Sequence, residues 1–447
     1  MQTQILDERE KSILRKEQRC RGGGINCESA SVSGAVSQRA CVYCGARVVL
    51  NPITDAFHIV HGPIGCASYT WDIRGSLTSG STLFRNAFST DLQERDIIFG
   101  GAEKLAAAID EVMQTYKPKL IFVYATCIVG VIGDDVDAVC RKAEEQYGNR
   151  VIPVKAPGFA GHKAEGYRMA CNALLALLKP HAASTRRLGI NILGDYNLAG
   201  EMWIIKNYMR EIGVPVIGSF TGDACCETLL LAPQAFLNVV QCAGSMLYLA
   251  QRMEEQFGIP WIKASFFGIE DTTNAIMNIA ELSGDKGARA RAAAFTGRES
   301  SLAARDVERY KAHFAGKKAA IFVGGGFKAI SLIRQFTEMG IETVIVGTQT
   351  GKADEYEVIA GLVNSDAVIL DDANPAELEA FMKEKGADIL VGGVKERPLA
   401  YKLGMAFCDH NHERKHPLAG YEGVRNFTKE INLSVNSPVW RYMYPAF

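Results

Sequence analysis

The sequence predicts an α/β protein of three doubly wound parallel-sheet (Rossmann-like) domains around a central cavity. Three observations carry this. Short apolar runs alternate with stretches of helical spacing, the pattern of parallel strands joined by crossover helices. The alternation restarts twice, giving three series. Glycine is abundant, 43 of 447 residues, and sits mainly at the ends of the apolar runs, where a chain leaving a strand must turn.

Taken in order, residues 1–40 are polar and rich in Gly and Ser, and read as an extended arm. In the first series, 41–185, Pro118 marks the start of a strand at Lys119–Tyr124. Asp134–Tyr147 then has helical spacing, and Val151–Val154 is a second strand. The second series, 186–316, opens with a strand at Gly189–Leu193, a helix at Glu201–Ile212, and strands at Val214–Phe220 and Phe236–Val240. A helix from Ala243 to Phe257 follows, ended by Gly258 and Pro260. The charged, Ala-rich stretch Ala288–Gly316 reads as a long connecting helix. The third series, 317–447, has strands at Lys318–Val323, Thr343–Val346, Ala367–Leu370 and Ile389–Val391, with a helix ending at Met339 and another at Pro375–Lys385. Gly324–Gly326 lacks the GxGxxG spacing, so a dinucleotide site has little support. Ligands of such folds sit outside the carboxyl ends of the strands.

Composition narrows the function. Lys plus Arg is 49 and Asp plus Glu is 50, a balance that argues against electrostatic binding to nucleic acid or an anionic membrane. Hydrophobic content of 48% with 22% charged residues is that of a folded globular protein. Met1–Cys20 mixes both charge signs without an apolar core, so no signal peptide is expected, and no run is long enough for a membrane helix. A cytoplasmic location follows as an expectation. There, 12 cysteines point to metal or redox chemistry more than to disulfides.

The cysteines divide by position. Cys140 and Cys171 fall at apolar helix positions and read as packing; Cys20 and Cys27 sit in the polar arm. Cys225 and Cys226 lie after Asp223, also near a strand end, and could be adventitious thiols. Cys41 precedes the first strand, Cys66 ends the tight turn HGPIGC, and Cys127 directly follows a strand. Their loop and strand-end positions suit thiolates converging on one centre, and iron–sulfur clusters are held by such thiolates. Only Cys41–Cys44 has zinc-like CxxC spacing, and nothing pairs with it. Cys242 stands between a strand and the helix it feeds. The run CDHNHERKH puts His410, His412 and His416 beside Arg414 and Lys415 after the last strand. Such a run commonly solvates a surface, but its strand-end position favours lining a cavity that holds an anionic cluster.

With these residues in place, CVYCGARVVLNPITDAFHIVHGPIGC, TCIVGVIGDD, NVVQCAGSMLYLAQRMEEQFGIPWIKASFFGIEDT, DHNHERKHPLAGYEG and NSPVW resemble the component 1 family of nitrogenases, nearest its α-type cofactor-assembly scaffold subunits. The resemblance runs from about Cys41 to the C-terminus and makes the central cavity a metallocluster site. It implies that Cys41, Cys66 and Cys127 are α-side ligands of a cluster shared with a partner subunit, either [4Fe–4S] or P-cluster-like. It also implies that Cys242 holds one end of a larger iron–sulfur(–carbide) cofactor precursor, with or without molybdenum and homocitrate, and that Arg74 faces that cluster. Two departures bear on activity. Where the catalytic subunit carries a ligating His, PLAGYEG offers Ala419, and a second family His is matched by Tyr167. A scaffold needs only one firm anchor, and His410, His412 or His416 could add a labile second ligand. The implied partners are a homologous β-type subunit, in an α2β2 assembly, and an ATP-dependent Fe protein. The alternative is a catalytic α-subunit of a nitrogenase-like reductase, such as a methylthio-alkane reductase cleaving C–S bonds, with the three histidines and Tyr167 as acids.

Overall fold

The computed structural model describes residues 5, 7–16, 25, 27, 40–70, 76–80, 86–178 and 189–442. Strand β1 (Ile13–Arg15) stands apart in sequence from the rest. The first sheet contains β2 (Ala56–His61), β3 (Ala87–Ser89), β4 (Leu120–Ala125) and β5 (Arg150–Lys155), in the order β3-β2-β4-β5. The second contains β6 (Ile190–Asp195), β7 (Val216–Thr221), β8 (Leu237–Val240) and β9 (Trp261–Lys263), in the order β7-β6-β8-β9. The third contains β10 (Lys318–Val323), β11 (Glu342–Thr348), β12 (Val368–Asp371), β13 (Ile389–Gly392) and β14 (Ala406–Asp409), in the order β1-β12-β11-β10-β13-β14. Every pairing is parallel except that of β1, which runs antiparallel to β12. The α/β class with parallel sheets is therefore as the alternation predicts.

The strands form where they do because helices cover both faces of the sheets. All six residues of β4, LIFVYA, are buried, which is why the strand reads as an unbroken apolar run. Helices with clear stops fall where their signals put them. Ala243–Phe257 ends at Gly258 with φ +64°, and Pro375–Lys385 starts at Asn374, whose side chain accepts the Glu377 N–H.

The described chain forms two compact units. One comprises residues 40–198 and 214–263 and carries the first two sheets; the other comprises 1–39, 199–213 and 264–447 and carries the third. In the first unit, helix Val42–Leu50 is buried along its whole length and packs on helix Lys163–Leu178. The approach is so close that a Cβ on Gly166 would lie 1.9 Å from the Val42 carbonyl oxygen, and one on Gly45 2.1 Å from that of Lys163. In the second unit, the arm is docked: β1 extends the third sheet, and Arg9 pairs with Glu377 at 3.0 Å, both buried. Among the described residues, no helix is long and apolar enough to cross a membrane.

Candidate metal centre

The order β3-β2-β4-β5 reverses direction between β2 and β4, and the chains leaving those neighbours diverge to open a crevice. Both exits carry a thiol. Cys66 follows β2, but inside the short helix Ile64–Thr70, not in the loop that Gly and Pro suggest. Cys127 is the first residue of helix Cys127–Ile132 after β4. Cys41 precedes a helix, not a strand: it sits at the N-terminal cap of Val42–Leu50, and its backbone bridges His162 in the exit from β5. Three adjacent strands thus deliver three cysteines to one edge.

Cys66 senses the other two thiols. Burial raises the Cys66 pKa first, the charge of Cys127 and then of Cys41 raise it further, and a hydrogen bond from Thr126 opposes them. Thr126 is fixed by donating to the His61 carbonyl at 3.0 Å, while the buried His61 ring bonds Thr90 at 3.0 Å and Asp134 at 3.2 Å. Cys127 is exposed, and its sulfur accepts the Gly158 N–H at 3.0 Å. A Cβ on Gly158 would lie 3.0 Å from that sulfur, so glycine is what lets the backbone donor approach it. Burial pushes the neighbouring Tyr43 up to about 12, with Arg47 opposing and the charges of Cys66 and Cys41 adding to it.

Among the described residues, no three His, Cys, Asp or Glu side chains gather tightly enough to hold a single metal ion. The arrangement fits a polynuclear iron–sulfur group better, since its thiolates each bind a different iron atom and backbone N–H donors stabilise their charge.

The second sheet repeats the plan with one thiol. Its order reverses between β6 and β8, and Cys242 leaves β8 as the N-terminal cap of helix Ala243–Phe257, as its spacing predicts. Gly194, at the end of β6 with φ +96°, lies against it: a Cβ there would meet the Cys242 Cβ at 2.5 Å and its backbone nitrogen at 2.7 Å. Within the same unit, Cys140 and Cys171 are buried on helices, as expected of packing residues.

In the other unit, His410 follows β14 directly, and its N–H donates to the Gly392 carbonyl at 2.9 Å. The ring is fully buried between Phe267 and Phe427, with neither nitrogen hydrogen-bonded among the described residues. Burial, then the charges of Arg414 and Lys328, hold its pKa well below the usual imidazole value. Arg414 ties the loop down by donating to the His410 carbonyl at 2.8 Å and pairing with the buried Glu201 at 2.7 Å. Burial pushes the Glu201 carboxyl up, but Arg414 and the Ala199 N–H reverse this and leave its pKa below the ordinary value. His412 accepts the Val394 N–H at 3.4 Å, and His416 is exposed.

A family model described as nitrogenase component 1 type oxidoreductase matches residues 41–436. The chain belongs to the nitrogenase component 1 family. A Clostridium pasteurianum protein named nitrogenase iron-molybdenum cofactor biosynthesis protein NifE is 61% identical over 98% of this chain and 97% of its own length. A Methanosarcina barkeri protein of the same name is 47% identical over 98% of this chain and 96% of its own. Among solved structures, one titled nitrogenase Cp1 at pH 5 superposes with a TM-score of 0.90 at 29% identity, over 98% of this chain and 96% of that one.

The remaining candidates of this component 1 family chain fall as follows. Tyr167 is half-buried on helix Lys163–Leu178. Ala419 is buried and caps helix Gly420–Val435. Arg74 lies outside the described residues. Sequence reasoning missed Thr126, Gly158 and Gly194, which hold the thiols, and Glu201, which holds the histidine loop. Only Gly194 carried a signal, a glycine at a strand end opposite a cysteine.

Proposed function

We propose that this chain is the α-type subunit of a scaffold complex on which the iron–sulfur precursor of the nitrogenase iron–molybdenum cofactor is held, matured and transferred. The observation that carries the reading is the full-length likeness, at 61% identity, to a protein named for biosynthesis of that cofactor. Ala419 supports it: a methyl group stands where the family's catalytic subunit offers an imidazole, so a far-end ligand is missing by chemistry. Cys242 then serves as the firm thiolate anchor for the cargo. Of the three histidines, His410 is the one whose ring nitrogens are unused among the described residues, whereas His412 is engaged and His416 faces solvent.

Cys41, Cys66 and Cys127 would hold the resident cluster, [4Fe–4S] or P-cluster-like, which supplies one-electron transfer when bound. Three thiolates leave its ligand set incomplete, and a homologous β-type subunit in an α2β2 assembly would complete it. The apolar side chains exposed beside the thiols suit burial under that partner: Ile64 and Tyr69 are 55% exposed, Phe159 is 65% and Val131 is 72%. Thr126 and the Gly158 N–H steady the thiolate charge. An ATP-dependent Fe protein would deliver electrons and metal, and the complex would work in the cytoplasm. We assign the three sheets to three domains, 41–185, 186–316 and 317–447.

The test is anaerobic. The chain, co-purified with its partner and loaded with clusters, is mixed with cofactor-deficient nitrogenase, molybdate, homocitrate and Fe protein. The expected result is restored dinitrogen reduction, with Cys242→Ala losing the large cluster and keeping the interface cluster. Failure to transfer, together with reductant-dependent hydrocarbon release from a thioether, would instead establish a reductase.

A further inference from the structure

Behind the thiol-bearing helices lies a cation that the proposed cluster chemistry does not use. Arg47, on helix Val42–Leu50, is 2% exposed, yet among the described residues its Nε and Nη1 have no hydrogen-bond partner and no carboxylate pairs with it. Its neighbour is Tyr124, whose ring centroid lies 5.6 Å from the guanidinium carbon and whose side chain shares a hydrogen bond with it. One such bond and a ring face do not replace all the hydrogen bonds that a guanidinium leaves behind in water. The unbalanced charge is felt nearby: after burial itself, it is what keeps the fully buried His58 neutral.

A cavity of about 330 Å³ lies against Arg47. Val60, Ile64 and Phe88 form much of its wall, Ser68 and Ser89 contribute hydroxyls, and no acidic side chain lines it among the described residues. A single cation at the edge of a largely apolar chamber selects one negative charge on an apolar body. Phosphate, with more charge and no apolar surface, matches it poorly. A guanidinium N–H donates a charge-assisted hydrogen bond to a carboxylate. The volume lies near the lower end for small-molecule sites, about 300–1,000 Å³.

We propose that this cavity binds a small organic monocarboxylate, its carboxylate pairing with Arg47 and its hydrocarbon body filling the space against Val60, Ile64 and Phe88. The site goes beyond the scaffold reading and does not depend on it. Its occupant touches helix Ile64–Thr70, the helix that carries Cys66, and Thr70 is in turn tied to Tyr43 by a hydroxyl contact of 2.6 Å. Occupancy therefore braces the segment that presents one of the thiols.

The experiment is isothermal titration calorimetry on the purified complex of this chain with its partner, using benzoate, its neutral isostere benzamide and inorganic phosphate as probes. Benzoate is expected to bind at least about tenfold more tightly than either of the others. Arg47→Met should remove that preference. Ala87→Leu, which fills the cavity from β3 without touching the charge, should block benzoate while leaving the cluster spectrum intact, and keeps the test open should Arg47→Met fail to fold. Equal binding of benzoate and benzamide, benzoate binding that survives both substitutions, or no binding by any probe would each overturn the proposal.

Discussion

Cys66 and Cys127 leave neighbouring parallel strands, and burial together with the charge of Cys127 raises the Cys66 pKa, with Cys127 exposed and exposed apolar side chains around them. His410 also leaves a strand end, but it is fully buried, and Arg414 and Glu201 lock its loop with an ion pair internal to the protein. On the proposed reading the first region gains stabilisation from a cluster and partner outside the chain; the second is closed by a pair within it. In the metal-free chain, stability should therefore concentrate around the histidine loop and be lacking around the thiols.

Removing Glu201 tests the locked side and carries the largest expected effect. Glu201→Ala leaves a buried guanidinium unpaired and should cost about 3–5 kcal/mol, read by chemical denaturation of the metal-free chain. The folded pKa of Glu201 is depressed, so its contribution is present above the ordinary carboxyl value and is lost as pH falls through the folded value.

Glu396, which accepts the Gly393 N–H at 2.8 Å beneath His412, has the opposite sign: burial pushes it up to about 7. The folded state there holds a proton that the unfolded state releases, so stability should fall by about 3 kcal/mol as pH rises from about 4.5 to 7. Glu396→Gln should flatten that slope, as measured by denaturation across the same range.

Gly194→Ala should cost about 1–3 kcal/mol from the positive φ, with the Cys242 contact adding to it. Retention of the large cluster should fall along with stability, whereas the interface cluster should persist. The smallest effect belongs to the thiol side. Thr126→Val should cost only about 1 kcal/mol. It removes a bond that lowers the Cys66 pKa, so alkylation of Cys66 in the metal-free chain should shift to higher pH. A stability loss for Thr126→Val as large as that for Glu201→Ala would break the contrast between the regions.

What could be read from the sequence follows the same division. Cys242 and helix Ala243–Phe257 were legible to the residue, because the apolar run, the cysteine and Gly258 are contiguous. Helix Val42–Leu50 was not, since a helix buried on every side carries no polar face to reveal its period. Cys66 looked like a loop residue because HGPIGC is full of turn formers, yet the chain winds into a helix from Ile64, whose N–H is held by the distant Asp91 carboxylate at 3.1 Å. The pair of Glu201 with Arg414 spans 213 residues, and no local pattern announces a partner at that distance. The same holds for Thr126 and Gly158, whose roles exist only once β4 lies between β2 and β5.

The pairing of β1 with β12 has a consequence for how the chain comes off the ribosome. Arg9 and Glu377 lie 368 residues apart, so β1 stays unpaired until most of the chain has been made, and the late edge strand β12 meets a cover already synthesised. An open strand edge is a template for unwanted association between molecules. The docked segment acts as a closing tab, available early and fastened late, and its attachment marks the moment at which the nascent sheet stops being sticky.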